Sequence, residues 1–555
     1  MTTPTDGRII GVDFDNTIAC YDQLIHAMAM ERGLIRATVS KNKKAVRDAI
    51  RARPNGESNW RSVQVSAYGS RMHEAQPMPG VKECLTECKR RNIAVYVISH
   101  KTEYANFGEA KVNLRAVAME WLDRNGFLAR EHVGLEVGRV FFEPTRAKKI
   151  KRIVSLKATH FVDDLEETFL DGTFPEEVQR ILFTRDQPRI ETGAVSFSTW
   201  WQIQAYLLGG PARSTFAELL QKPVRSVARI GKGRNSRVYR VNCTDGFSFA
   251  AKCYLQRTVD GLDRLDVEFP SLRFLWEQGL RCVPRPVAVD HDRLIAAYEY
   301  VDGVAIDMRA VSDSDVAQVV SFSGRLKKLA ASDVADHLPR ASEACFSFRA
   351  LDENLQKRLD LLKAVRGDDP SYASLHRFLA EDLGPALVET VERTKGRIGD
   401  GNWNVELPRS ARTLSPSDFG FHNALRRPDG SIVFLDFEYF GQDDPAKMIA
   451  DFILHPAMDL TESVKARYVE KMLACLGGDR ELPVRLANLY PLFGLKWCLI
   501  LLNEFVPIFR ARREFAADAD ADRVKVRVRQ LERSQGMLAR IMNECNRLSY
   551  LTHHP

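Results

Sequence analysis

One stretch constrains this chain more than any other: Ser415–Glu438, SPSDFGFHNALRRPDGSIVFLDFE. A polar loop carries Asp418 and, five residues on, Asn423. A turn (RRPDG) then leads into an apolar strand (SIVFL) that ends at Asp436. A hairpin of this kind sets two loops side by side, which places Asp418, Asn423 and Asp436 in one small volume. Two carboxylates and an amide oxygen so arranged suit phosphoryl transfer. One carboxylate accepts the proton of an attacking hydroxyl, while the amide oxygen and the other carboxylate hold Mg²⁺ against nucleotide phosphates. Taken alone, the spacing also fits an ordinary polar hairpin, so the residues upstream decide.

Upstream, Val224–Ile230 and Arg237–Asn242 read as strands joined by GKGRNS, Gly231 to Ser236. Glycines at 231 and 233 allow backbone amides to approach phosphate oxygens. The next strand, Phe247–Tyr254, carries Lys252 in an apolar frame (SFAAKCY). A buried ammonium needs a partner, and Glu268 on the following helix is the natural one. Ala296–Val301 is a further strand ending at Asp302-Gly303, where a hinge would join two lobes.

Glycine loop, lysine strand, helical glutamate, hinge, Asp418/Asn423 and Asp436 come in an order that resembles the protein-kinase-like fold. In detail it resembles the aminoglycoside-phosphotransferase and choline-kinase branch, over nearly all of residues 220–510. That resemblance implies ATP as co-substrate, with Gly231, Gly233 and Ser236 in the nucleotide loop. Lys252 would contact the α- and β-phosphates and Glu268 would position Lys252. Asp418 would be the catalytic base, and Asn423 with Asp436 would bind Mg²⁺. Asp443 follows Asp436 by seven positions and DDPAKMIADF comes at once, which leaves no room for a long activation loop and favours a small-molecule hydroxyl acceptor. Three departures stand out. Pro416 occupies the place of the family's histidine, Ser236 that of the third loop glycine, and Glu438 that of the glycine after Asp436. His422 and Trp497 read as packing residues. Asp313–Ala331 and Leu351–Val365 read as helices, with Asp352, Glu353 and Asp360 on a solvated face.

The first two hundred residues have a different pattern. Short apolar strands (Arg8–Val12, Ile93–Ile98, His160–Val162, Ile181–Thr184) alternate with helical stretches, which predicts an α/β unit with a parallel sheet. Polar residues collect at the strand ends in order: Asp13 and Asp15, Ser99, Lys148 or Lys149, then Asp163 and Asp164. This set suits a carboxylate nucleophile attacking phosphorus. Asp15 would serve as acid and then base, and Ser99 with a lysine would hold phosphoryl oxygens. Asp163 and Asp164 would complete an Mg²⁺ site with Asp13 and Asp15.

This order is similar to the four motifs of the haloacid-dehalogenase superfamily of phosphatases: DFDNT, Ser99, Lys149 (or Lys148), and the acidic pair of FVDDLEE. The resemblance implies a Rossmann-like domain, with residues from about 20 to 76 forming a helical cap. Gly209-Gly210-Pro211 marks the boundary, giving a phosphatase-like unit at 1–208 and a kinase-like unit at 209–555. Within the latter the lobes are expected at about 214–302 and 303–555.

With 45% hydrophobic and 28% charged residues, the chain has an ordinary globular composition. A net charge of +7 gives little support to a nucleic-acid partner, and no G-x4-G-K-[ST] occurs, so nucleic-acid end processing is disfavoured. Ten scattered cysteines suggest neither a disulfide framework nor a zinc site. Tyr490–Phe509 reads as a buried helix rather than a membrane span, and the chain is expected to be cytoplasmic. The basic tail from Arg510 reads as an amphipathic helix with Val528, Leu531, Leu538, Ile541 and Met542 inward. The combined expectation is a Mg²⁺-dependent phosphatase joined to an ATP-dependent small-molecule kinase, acting on different positions of one metabolite. Activated-sugar synthesis for surface polysaccharides is a context that needs such remodelling. The alternative is one catalytic half with the other regulatory.

Overall fold

The computed structural model describes residues 7–104, 112–184, 193–231, 236–254, 263–506 and 523–544. The chain forms two compact units, Met1–Ala212 and Arg213–Pro555. The division falls just after the GGP turn, where Gly209 takes the left-handed φ of 76° that ends the preceding helix.

In the first unit, β1 (Ile9–Val12) leads to β2 (Ala19–Cys20), α1 (Asp22–Glu31), α2 (Lys43–Arg51), α3 (Gly56–Tyr68) and β3 (Gln76–Pro77). Then come α4 (Val81–Arg90), β4 (Ala94–His100), α5 (Leu114–Arg124), β5 (Val140–Glu143), α6 (Arg146–Ser155), β6 (His160–Asp163) and α7 (Glu166–Phe169). β7 (Gln179–Phe183), β8 (Val195–Phe197) and α8 (Trp200–Leu208) close the unit. The sheet is parallel with order β5-β4-β1-β6-β7-β8. Of the strands among the described residues, β5 and β8 were not legible as strands in the sequence. The strand order turns at β1, so a crevice opens beyond its carboxyl end. Gly11 lets β6 pack close, because a Cβ there would fall 2.6 Å from the Phe161 ring.

β2 and β3 pair antiparallel, Ala19 with Pro77 and Cys20 with Gln76, and form a two-stranded stalk. The predicted helical segment rises from it as three helices. Asn42 caps α2 by accepting from the Ala45 amide, and the Lys43 amide donates to Asp22 Oδ1 at 2.8 Å, which ties α2 to α1.

The second unit opens with α9 (Arg213–Leu220) and β9 (Val224–Ile230), β10 (Ser236–Cys243), β11 (Ser248–Tyr254), α10 (Arg264–Glu277), β12 (Pro286–Asp290) and β13 (Ile295–Glu299). These strands form an antiparallel sheet of order β12-β13-β11-β10-β9. A largely helical part follows, from β14 (Val304–Ala305) through α11 (Asp313–Ala330), α12 (Phe348–Ala364), α13 (Pro370–Phe378), α14 (Gly384–Ile398) and α15 (Asp400–Trp403). Four short strands come next: β15 (Thr413–Ser415), β16 (Ala424–Arg426), β17 (Ile432–Phe434) and β18 (Gly441–Asp443). The chain then runs through α16 (Pro445–Leu454), α17 (Glu462–Cys475), α18 (Leu482–Leu501) and α19 (Arg523–Glu544).

α18 is the core helix of this part. Leu482–Phe505 is long and apolar enough to cross a membrane, and 72% of its most apolar window is buried among other residues of the chain. On α19, Leu531, Leu538 and Ile541 are buried and Met542 packs beside them as predicted. Val528 is instead 39% exposed, a correction to the predicted stripe. The inward positions run through Arg527, Leu531, Ser534, Leu538 and Ile541, so Arg527 takes the buried place one turn before Leu531 and Val528 is turned outward. Residues 507–522 lie outside the described residues. The described cysteines are free thiols.

Candidate functional site

In the second unit the hairpin of β16 and β17 pairs Ala424 with Phe434, and the Leu435 amide donates to the Asn423 carbonyl at 2.8 Å. That register sets Asn423 beside Asp436. Asp436 takes a left-handed φ of 65°, unusual for a residue with a Cβ and frequent where a side chain must be aimed. Lys252, in the middle of β11, donates from Nζ to Asp436 Oδ1 at 2.6 Å and to Glu268 Oε2 at 2.7 Å. Glu438 Oε2 lies 3.3 Å from the same ammonium. The departure at position 438 is thus a third acid on Lys252.

Burial works against the charged lysine, but Asp436, Glu268 and Glu438 outweigh it and raise its pKa well above the usual value. Burial likewise pushes Asp436 up, opposed by Lys252. Glu268 is fixed in turn by the Tyr254 hydroxyl at 2.7 Å and the Phe437 amide at 3.2 Å. Ser236 opens β10 and is buried, and Gly231 follows β9 at a left-handed φ of 73°. Gly233 lies outside the described residues.

Asp418 sits on the loop before β16. His422 packs against a second imidazole and also has a polar role that the sequence did not suggest: its Nε2 donates to Asp418 Oδ1 at 3.0 Å, because the turn through Phe421–Asn423 folds it back over the carboxylate. His455, at the end of α16, places its Nε2 3.3 Å from the same oxygen, and the two imidazoles stack with centroids 3.8 Å apart. Desolvation pushes Asp418 up, but the hydrogen bonds from His422 and His455 outweigh it and hold the carboxyl well below its usual range.

Trp497 meets the His455 ring edge-on at 4.6 Å and donates its indole N–H to Asp451 at 2.9 Å. Lys447 ties Asp443 (2.8 Å) and Asp451 (3.2 Å) to the hydroxyl of Ser417 (3.0 Å), the neighbour of Asp418. Asn423 donates its side-chain amide to the Asp418 carbonyl at 3.0 Å, which leaves its oxygen as the atom able to ligate. Sequence reasoning missed His455 and Lys447. The available signal was Pro416, which announced that Asp418 had to be oriented from elsewhere.

In the first unit, β1 and β6 lie side by side, with Val12 opposite Val162 and the Asp13 amide donating to the Val162 carbonyl at 2.8 Å. Asp13 and Asp163 therefore emerge together. Lys149 joins them, its Nζ 2.6 Å from Asp13 Oδ1 and 2.6 Å from Asp163 Oδ2. Lys149 is 1% exposed while Lys148 points to solvent, so of the two adjacent lysines it is 149 that faces the acids. Ser99 is buried near the end of β4, the neighbour of β1.

Burial raises Asp13 to about 7, against the pull of Lys149, and burial together with Asp163 and Asp13 raises Asp164 well above the usual range. Asp15 stands apart from the Asp13/Asp163/Asp164 cluster. Its carboxylate is held by Lys101 at 2.9 and 2.7 Å and by the Tyr21 hydroxyl at 2.6 Å. Lys101, 4% exposed and two residues past Ser99, was not singled out by the sequence.

Among the described residues, three groups of side chains bring potential ligand atoms within 4.8 Å of one another: Asp13/Asp163/Asp164, Glu268/Asp436/Glu438 and Asp418/His422/His455. The first two offer carboxylate oxygens alone, the donor set that fits Mg²⁺. In the third, both Nε2 atoms already face one oxygen of Asp418, at 3.0 and 3.3 Å, so their ring nitrogens are engaged by the carboxylate. That pair serves the carboxylate instead.

No protein-family model matches the chain, and no curated protein matches it. Among solved structures it is similar to the spectinomycin phosphotransferase APH(9)-Ia in complex with ADP and spectinomycin, at 12% identity over 57% of this chain and 96% of that one, with a TM-score of 0.42. It is similar to the choline kinase LicA of Streptococcus pneumoniae at 18% identity over 59% and 97%, TM-score 0.39. The Plasmodium vivax ethanolamine kinase is similar at 15% identity over 57% and 83%, TM-score 0.37.

Proposed function

We propose that the second unit transfers the terminal phosphoryl group of ATP to the hydroxyl of a small molecule, and that the first unit hydrolyses a phosphomonoester. The observation that carries the first half is the placement of Lys252 between Glu268 and Asp436, beside the loop that carries Asp418 and Asn423. In this reading Lys252 binds nucleotide phosphates and Glu268 holds it in place. Asp418, kept anionic by His422 and His455, accepts the proton of the acceptor hydroxyl. Asp436 and Asn423 are the residues that would hold Mg²⁺, which when bound neutralises phosphate charge.

For the first unit, the supporting observation is Lys149 bridging Asp13 and Asp163 at the end of a parallel sheet. Asp13 is the nucleophile of the haloacid-dehalogenase pattern and Asp15 its acid and base, while Ser99 and Lys149 hold the phosphoryl oxygens. Asp13, Asp163 and Asp164 would hold that unit's Mg²⁺. The two activities act on different positions of a common metabolite, as activated-sugar synthesis requires.

The test uses the full chain with labelled ATP, Mg²⁺ and a panel of amino alcohols, aminoglycosides and sugars. Label should move to at least one acceptor, and Asp418→Asn should stop it. Nucleotide hydrolysis with no transfer to any acceptor, unchanged by Asp418→Asn, would overturn the kinase reading.

A further inference from the structure

The helical insertion of the first unit carries a cation that the chemistry above does not use. Lys43 begins α2, and its position is fixed by its own amide on Asp22 and by the Asn42 cap. Its ammonium donates to the Tyr68 hydroxyl at 2.9 Å. No carboxylate among the described residues forms an ion pair with it, whereas Lys149 is matched by Asp13 and Asp163 and Lys101 by Asp15. Lys43 is nonetheless close to the acids. The Tyr68 ring packs on that of Tyr21 at 4.4 Å, and the Tyr21 hydroxyl reaches Asp15 at 2.6 Å. Asn16, within the Asp13–Thr17 loop, lies 3.5 Å from the Tyr68 hydroxyl.

We propose that Lys43 and Tyr68 form an anion subsite beside the Asp13/Asp15 centre, so that the phosphomonoester taken by this unit bears a second anionic group, a carboxylate or another phosphate. The inference rests on the phosphatase reading of the first unit. A compact ammonium is a point-charge donor suited to either group. Its pKa is lowered by burial but raised more by Tyr68, Asp164 and Asp15, so it stays charged. An ester whose remainder is neutral would leave this half-buried charge with a phenol as its partner. A second anion supplies the missing acceptor. Because the lysine sits on the insertion rather than on the sheet, it selects the substrate without touching the group that reacts.

The test measures phosphate release by the full chain with Mg²⁺ from glycerol 3-phosphate, 3-phosphoglycerate and fructose 1,6-bisphosphate, with p-nitrophenyl phosphate as a generic probe. kcat/KM should favour at least one of the two doubly anionic esters over glycerol 3-phosphate by about 10–100-fold, and which one responds separates carboxylate from phosphate. Lys43→Met should abolish that ratio through KM, and Lys43→Arg should keep most of it. No preference in the wild type, or a preference that survives Lys43→Met, would overturn the subsite. If p-nitrophenyl phosphate is turned over and Asp13→Asn stops it, the phosphatase reading stands whatever becomes of the subsite. If no ester is turned over, both fall.

Discussion

His455 lies flat against His422, with ring planes within 7° and centroids 3.8 Å apart, and both turn Nε2 to one oxygen of Asp418. A carboxylate only accepts, so each nitrogen carries its hydrogen and the pair donates twice. Asp418 is thereby held below its ordinary pKa, so its anion persists as pH falls through the usual carboxylate range near pH 4. Without the imidazoles, desolvation acts unopposed and moves the pKa up. The acid limb of kcat/KM for phosphoryl transfer should therefore lie below about pH 4 in the wild type. In His422→Leu/His455→Leu it should rise into the weakly acidic range, with kcat lowered about 10–100-fold and KM for ATP little changed. A pH–rate profile of the two proteins checks this.

Lys252 balances three acids, Glu268, Asp436 and Glu438. Lys252→Met leaves them facing one another, a loss of the kind that costs about 3–5 kcal/mol. Thermal melts should show that loss at neutral pH and a partial recovery at lower pH. The sign follows from repulsion: crowded carboxylates have raised pKa values in the folded state, so protonation favours folding. Millimolar Mg²⁺ should stabilise the variant more than the wild type, since the ion takes the place of the missing ammonium. Phosphoryl transfer should not return in either condition.

The strand-end acids and the Lys252 strand were legible because each sits in a short apolar run, where a charge is conspicuous. β5 (VFFE) is only half-buried along its length and β8 (VSF) sets a serine between its two apolar residues, so neither stands out as a buried apolar run. The choice between Lys148 and Lys149 needed the phase of α6, which Thr145 sets by capping the helix at the Lys148 amide. His455 could not be inferred at all: 37 positions separate it from Asp418, and tertiary packing of α16 brings them together. The same holds for Lys101, whose partner Asp15 is 86 residues away.

The two proposed activities belong to separate sets of residues, so they should fail separately. Asp13→Asn should lower phosphate release from p-nitrophenyl phosphate by at least about 10³-fold and leave transfer from ATP intact. Asp418→Asn should do the reverse. Parallel assays of both variants give the answer, and a single substitution that silences both reactions would contradict two independent sites.

The packing of α19 on α18 makes a prediction with a change of sign. Ile541 is fully buried against Gly494, where a Cβ would stand 2.6 Å from its Cδ1 and Cγ1. Ile541→Ala removes those atoms and should cost about 2–5 kcal/mol. Gly494→Ala in the wild type drives a methyl into the isoleucine and should be destabilising, by about 1–3 kcal/mol. In the Ile541→Ala background the methyl enters vacated space, and the helix gains the alanine's better propensity, worth about 1 kcal/mol. There the substitution should stabilise. Urea unfolding of the four proteins closes the cycle, and a coupling near zero would mean that Gly494 and Ile541 do not touch in solution.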